Sequence, residues 1–311
     1  MRCAGHRRTE MDDLMPSAIR GVNFGPYAIY NAVYGGPRIT DVLKYCGVDI
    51  SKLKGKWLVS SGADEDFPGD PIKTSAPFDR ILDPQWETIM AISANGEDLP
   101  EDHGFPVRMM YPGFVGIRDC KWVKKIEIRN EETKARYQYR VYKPVQAKRW
   151  EDVDFDSIKA PLGHCLQCVI CEPEKGQTVI VKPDEKFITM KGCAVGEGWS
   201  GARVVKVKCT ADEGETWLDA RIVRREEKDP RRKVFSWVHW ECDVPIKPAT
   251  QKAERMRVLA KAYDSAGHTM DAPVEEVFNL AGTLVNPPHP CEFKYRLEFE
   301  PFIVKHAKKA A

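Results

Sequence analysis

No apolar run in this chain approaches the roughly 18 residues needed to cross a bilayer, so the sequence predicts no membrane partner. Neither sign of charge is in excess: 48 Lys and Arg stand against 46 Asp and Glu. That balance leaves no electrostatic footprint for nucleic acid. The basic clusters Arg224-Arg225 and Arg231-Arg232-Lys233 are interrupted by Glu226, Glu227 and Asp229 and read as a solvated loop. The opening residues, Met1-Arg2-Cys3-Ala4-Gly5-His6-Arg7-Arg8, lack the apolar centre of a secretory leader. The closing residues, His306 to Ala311, form no peroxisomal or reticulum-retention tail. Without a secretory signal, the ten cysteines read as reduced thiols of an intracellular, soluble protein rather than a disulfide framework. Internal repeats and low-complexity segments are also lacking.

What is present is an ordinary globular composition, 42% apolar with 22 Gly and 22 Pro, over a length that suits about two domains. Pro and Gly are dense up to about residue 116. Within that part, Ile39, Val42, Leu43 and Cys46 share one face of a helix predicted over Pro37 to Gly47, with Thr40 as its cap and Gly47 as its end. Lys56 to Ser60 and Glu87 to Ser93 are predicted strands, and Asp64 to Pro71 a loop. Trp150 to Ala160 is acidic and aperiodic, as a linker would be. Beyond it the period becomes two. Val205, Val207 and Cys209 alternate with lysines, and Met256, Val258, Ala260 and Ala262 alternate with Arg257, Leu259 and Lys261. Turns at Asp212-Glu213-Gly214 and Ser265-Ala266-Gly267 separate these strands, which predicts an immunoglobulin-like β-sandwich.

Several stretches, in order along nearly the whole chain, resemble the sulfite oxidase family and the related molybdenum domain of eukaryotic nitrate reductases. They are Cys3-Ala4-Gly5-His6-Arg7-Arg8-Thr9-Glu10-Met11, where the family usually has Asn at the position of His6, then Asn31-Ala32-Val33-Tyr34-Gly35-Gly36, and Asn95 through Arg108 with its Asp102-His103-Gly104-Phe105-Pro106-Val107-Arg108 core. Pro112-Gly113-Phe114-Val115-Gly116, Lys121-Trp122, Asp212 to Trp217 and Phe278-Asn279-Leu280 continue the match. The resemblance implies an α+β architecture. A molybdopterin-binding domain lacking its front part would occupy 1–147 and a linker 148–162. An immunoglobulin-like dimerisation domain would follow at 163–302, and a tail at 303–311. Another chain, or a longer transcript, would supply the front part, and no haem domain is included.

The resemblance makes Cys3 the single protein ligand of a molybdenum–molybdopterin cofactor. A thiolate is a soft donor suited to a transition metal, and Arg7 and Arg8 nearby would favour it. Taken alone, a cysteine beside arginines is most often a plain surface thiol. By position the cofactor contacts fall on Asp64, His103, Arg108, Asp119, Cys120 and Lys121. Arg108 and Lys121 suit a phosphate. Asp64 and His103 suit the pterin or pyrophosphate end, or else are a turn aspartate and a structural loop histidine. Arg8 matches an arginine that binds the small oxyanion substrate. Tyr142, in Arg140-Val141-Tyr142-Lys143, matches an active-site tyrosine.

The implied reaction is oxidation of sulfite to sulfate, with electrons leaving to an external acceptor, a cytochrome or dioxygen. A homodimer would form through the sandwich, in the mitochondrial intermembrane space or the cytoplasm. Three departures bear on substrate: Phe24 stands at a pocket tryptophan, Ala281 follows Asn279-Leu280 where sulfite oxidases carry an arginine that nitrate reductases also lack, and a further substrate arginine falls in the missing front part. A nitrate-reductase-like activity and a non-catalytic dimerising fragment are the alternatives. Finally, Cys165, Cys168 and Cys171, next to His164, have spacing that can hold zinc or a cluster. A strand there would send Cys165 and Cys171 to one side and Cys168 to the other.

Overall fold

In the computed structural model, which describes residues 1–16, 18–224 and 232–298, the first half is built from short elements: α1 (Arg8–Leu14), β1 (Tyr34–Gly35), α2 (Ile39–Tyr45), β2 (Trp57–Phe67), β3 (Asp70–Pro77), α3 (Phe78–Ile81), β4 (Ile89–Ala91), β5 (Ser93–Ala94), β6 (Glu97–Asp98), β7 (Arg108–Met110) and β8 (Val123–Arg129). The middle of the predicted basic loop, including Arg225 and Arg231, and the predicted tail lie outside the described residues.

The helical periodicity holds in α2, where Ile39 and Leu43 are buried, and Gly47 ends the turn with a φ of 79°. Its start differs from the prediction. Arg38, not Thr40, precedes the first turn, and no side chain caps it. The Ile39 N–H instead donates to Thr88 O, 3.2 Å away, so a neighbouring segment satisfies the group a cap would serve. The predicted loop at 64–71 is also corrected. β2 continues through Phe67 and returns as β3, with Gly69 at a φ of 82° in the turn. This end of the hairpin projects from the core and pairs irregularly, with shifts at Ser61/Glu65 and Glu65/Phe67. Its acids therefore show no apolar alternation. Sheets ordered β3-β2-β8, β4-β7 and β1-β5-β6 surround a core of Ile39, Leu58, Ala76, Phe78, Met109 and Phe114.

The second half is the expected sandwich. Its strands are β9 (Gln167–Glu172), β10 (Thr178–Val181), β11 (Phe187–Val195), β12 (Val204–Thr210), β13 (Leu218–Asp219), β14 (Arg221–Arg224), β15 (Val238–Pro245), β16 (Glu254–Asp264) and β17 (His289–Leu297). A four-stranded sheet, β14-β15-β11-β9, packs on a five-stranded one, β10-β17-β16-β12-β13. Val258, Ala260 and Ala262 point inward as their alternation predicts. Val205 does not: it is 53% exposed and Val204 takes the core position. The pairing of β12 on β16 slips between Val204 and Lys206, and a one-residue slip exchanges the faces of a strand.

The three closely spaced cysteines do not converge. Cys168 is in the sandwich core, and Cys171 lies on the opposite face beside Cys193 and Trp237. Cys165 precedes the strand and receives a hydrogen bond from Arg2 Nη1 at 3.2 Å. No helix of the described residues is long and apolar enough to cross a membrane.

The two halves meet across buried arginines. Arg2 Nη1 donates to Cys165 O at 2.9 Å and Arg7 Nη1 to Pro287 O at 2.9 Å, both crossing from the first residues into the sandwich. Arg80 Nη2 donates to Gly198 O at 2.8 Å further along the seam. Buried guanidinium groups left without such acceptors would be costly, so these bonds fix where the cysteine loop sits.

Candidate active site

The loop after Cys3 is shaped by its own main chain. Cys3 N donates to Ala28 O, His6 N to Cys3 O and Arg7 N to Gly25 O, each at 3.1 Å. Arg7 takes a left-handed backbone, φ 66°, and turns its guanidinium onto Glu10 at 2.6 Å and into the sandwich. The expectation that both arginines serve the Cys3 sulfur is corrected for Arg7, which is committed to Glu10 and the seam, while Arg8 lies within electrostatic reach of Cys3.

Arg8 lies in a slot that only glycines leave open. A Cβ on Gly5 would stand 2.5 Å from Arg8 Nη2, one on Gly21 2.6 Å from Nη1, and one on Gly282 2.5 Å from Cγ. Within the slot Nε donates to Ala281 O at 3.2 Å and Nη1 to Val22 O at 2.6 Å. Nη2 makes no hydrogen bond to a described residue and is the group left for a ligand. Burial lowers the pKa of Arg8, and the negative forms of Cys3 and Tyr142 oppose that shift. These three predicted residues are thus within electrostatic reach of one another. Tyr142 is pushed up to about 12, first by burial and then by Cys3 and Tyr137, against Arg8 and Arg118. Its phenol stays protonated at neutral pH and can donate a hydrogen bond.

Ala281 is buried and touches the site through its carbonyl. Asn279 closes the loop that carries it: Nδ2 donates to Thr283 O at 2.8 Å and Oδ1 accepts from Thr283 N at 3.1 Å. Phe24, 37% exposed, lies on the coil bonded to α1, its carbonyl accepting from Thr9 Oγ1 at 2.9 Å.

The remaining predicted residues form a second group. Arg108 is its centre: Nη1 donates to His103 O at 2.9 Å and Nη2 to Asp119 O at 3.2 Å, while its buried Nε has no partner among the described residues. His103 serves Arg108 through its main chain, which leaves its exposed ring free for a ligand. Asp119 faces inward, accepting from Tyr111 N at 2.6 Å, and burial raises its carboxyl to about 7. Burial likewise pushes the Cys120 thiol up to about 12, with Asp64 adding to the shift. Asp64 is raised by burial and pulled back by Lys121, whose Nζ donates to Asp102 O at 2.8 Å. Asp119, Cys120 and Arg108 are all buried; by chemical kind, Asp64, His103, Arg108 and Lys121 are the cations and directed polar groups that would fit a phosphorylated pterin. The unpartnered Nε of Arg108 is the clearest sign of fit.

Sequence reasoning missed Tyr34, whose ring lies 5.5 Å from the Arg108 guanidinium and whose hydroxyl is 2.6 Å from that of Tyr30. The signal was available, because Tyr34 falls inside the matched Asn31 to Gly36 stretch. It also missed the environment of His6. That ring is fully buried, has no partner on either nitrogen among the described residues and meets Trp237 edge-on at 5.8 Å. Burial and the charges of Arg2 and Arg7 hold its pKa far below the usual histidine range.

Residues 1–137 match the oxidoreductase molybdopterin binding domain and residues 163–295 the Mo-co oxidoreductase dimerisation domain. Sulfite oxidase of Arabidopsis thaliana is 31% identical over 298 residues, a match that covers 91% of this chain and 72% of that protein. The chain belongs to the sulfite oxidase family. Mitochondrial sulfite oxidase of Drosophila melanogaster is 35% identical over 295 residues, covering 94% of this chain and 50% of its own length. The chain thus spans about half the length of the animal sulfite oxidases it matches. Nitrate reductase [NAD(P)H] of Hordeum vulgare is 30% identical over 315 residues, 95% of this chain and 33% of that one. The solved sulfane dehydrogenase SoxCD of Paracoccus pantotrophus shares the fold, with a TM-score of 0.72 over 96% of this chain and 70% of that chain at 21% identity. Within the family, the first half is the molybdopterin-type domain and the sandwich is the dimerisation domain.

Proposed function

We propose that this chain is the molybdenum-binding and dimerising part of an oxidoreductase that converts sulfite to sulfate. The observation that supports the reading is Arg8, held by Ala281 O and Val22 O and within electrostatic reach of Cys3 and Tyr142. Molybdenum–molybdopterin, held by Cys3 Sγ, supplies two-electron oxygen-atom transfer when bound. Arg108, Lys121, His103 and Asp64 would hold its pterin and phosphate.

The chain's own residues then handle the anion. The Nη2 group of Arg8 offers a charge-assisted hydrogen bond to a sulfite oxygen. The two carbonyl acceptors on Nε and Nη1 keep that donor from swinging away. Tyr142, protonated at neutral pH, can donate a second hydrogen bond to the anion. The glycine slot excludes water from the rear of Arg8, which strengthens its field on the substrate. Electrons pass to an external acceptor, a cytochrome or dioxygen. The sandwich is proposed to pair two copies, and the setting to be intracellular, as in the relatives named mitochondrial.

The test is an amino-terminally extended, cofactor-loaded protein assayed with sulfite and with nitrate. Sulfite-dependent reduction of a cytochrome or dioxygen supports the reading. Nitrate reduction without sulfite oxidation overturns it in favour of a second reading, for which Ala281 in place of a site arginine is the specific observation.

A further inference from the structure

Gln138 is fully buried, yet every hydrogen-bonding position of its carboxamide is taken. Oε1 accepts from Ser75 N and from Arg118 Nη1, both at 2.7 Å. Nε2 donates to Ser75 Oγ at 2.7 Å and to Glu132 Oε2 at 2.8 Å. An amide has two acceptor lone pairs and two N–H groups, so no capacity remains. The residue belongs to a π-helical turn, Tyr137–Val141, that ends in Tyr142 and is closed by Tyr142 N donating to Tyr137 O at 3.1 Å. Such wide turns are rare and persist where the surroundings impose them. Gln138 is the buried residue of this one, so a single side chain ties the turn to β3 through Ser75.

The same amide holds Arg118. That guanidinium is fully buried, donates from Nη2 to Pro161 O at 2.8 Å and leaves Nε without a partner among the described residues. Burial lowers its pKa to about 10, and the negative forms of Glu132 and Tyr142 oppose the shift. Arg118 is therefore a second cation within reach of the Tyr142 phenol, besides Arg8. Gln138 is the neutral link between it and Glu132.

We propose that Gln138 is a positioning residue for Tyr142: its four hydrogen bonds set the wide turn 137–142 and keep Arg118 within reach of the phenol, so that Tyr142 and Arg8 face one substrate anion. This rests on the substrate-side role of Tyr142 given above. The chemistry suggests a paired exchange. Gln138→Glu keeps the acceptors for Ser75 N and Arg118 but loses both N–H donors and sets a carboxylate against Glu132. Adding Glu132→Gln returns an N–H donor to that contact and removes the repulsion.

The experiment places 3-fluorotyrosine at position 142 of the cofactor-loaded enzyme and reads its ¹⁹F resonance. A probe at Tyr295, buried in the sandwich, controls for folding. Gln138→Glu is expected to shift or broaden the signal at 142, leave that at 295 unchanged and raise the sulfite KM on the order of tenfold, the effect of one misplaced hydrogen bond. The double variant is expected to restore both readouts. If Gln138→Glu does not fold, Ser75→Ala, which removes one acceptor of the amide, is expected to move the same resonance by less. A ¹⁹F signal at 142 unaffected by whichever of these variants folds, or a shift that the paired exchange does not reverse, overturns the proposal. The two readings fail separately. A reversible ¹⁹F shift with a sulfite KM unchanged by Tyr142→Phe removes the role of Tyr142 but keeps its positioning by Gln138. A raised KM in Tyr142→Phe with a fixed resonance does the opposite.

Discussion

Replacing Gly5 by alanine would place a methyl group 2.5 Å from Arg8 Nη2 and 2.6 Å from its Cζ. Carbon atoms do not approach that closely, so the guanidinium has to move. Gly5 itself has no left-handed backbone, so the substitution acts through space rather than strain. Gly21 and Gly282 lie against the other sides of the Arg8 side chain, each so close that an added Cβ would stand within 2.6 Å of it. Moving Arg8 breaks its bond to Val22 O, to Ala281 O or to both. Each is a hydrogen bond from a charged group to a buried carbonyl, worth about 1.5–3 kcal/mol. Crowding of a packed site costs about 1–3 kcal/mol in stability. If Arg8 binds sulfite through Nη2, losing that contact raises KM by roughly one to two powers of ten, while the cofactor content stays constant. Steady-state kinetics with sulfite, molybdenum analysis and thermal melting of the same preparation read these effects apart. A Gly5→Ala enzyme with full molybdenum and an unchanged sulfite KM would refute the assignment of Arg8 as the anion-binding residue.

Other outcomes follow from the same geometry. Ala281→Arg adds a cation where the sandwich loop meets Arg8, so it should lower the sulfite KM, with a smaller effect on nitrate because Coulomb attraction scales with ligand charge; equal effects on both substrates would contradict this. Residues 163–311 expressed alone should sediment as a dimer at micromolar concentration, and a clean monomer would count against the sandwich as the pairing surface. The folded pKa of Asp119 is raised above its unfolded value, to about 7. Its contribution is therefore complete below about 4 and lost as pH rises towards 7. In cofactor-free protein, Asp119→Asn should flatten that part of the melting-temperature profile, and a parallel profile would refute the assignment.

The residues proposed for the site could be named from the sequence because they lie in contiguous loops: Cys3 and Arg8 in one, His103 and Arg108 in another. The sandwich was readable because one buried face imposes a period of two, as β16 shows. What escaped depends on contacts between distant segments. That Arg7 belongs to the seam follows from Pro287 and Gln167, some 160 to 280 residues away. The slip that exposes Val205 arises from pairing with β16, and the cap of α2 is replaced by a carbonyl on another segment. The π-helical turn before Tyr142 is held by Ser75 and Arg118, and nothing in Tyr137-Gln138-Tyr139-Arg140-Val141 alone announces it.

The central claim is that Cys3 holds the metal at the seam between the two halves. X-ray absorption at the molybdenum edge, on cofactor-loaded enzyme extended at its amino terminus, tests it most directly. Cys3→Ser is predicted to remove one Mo–S bond, and Cys120→Ser and Cys165→Ser to remove none, since those thiols are committed to the interior and to Arg2. An unchanged number of Mo–S bonds in Cys3→Ser would contradict the account.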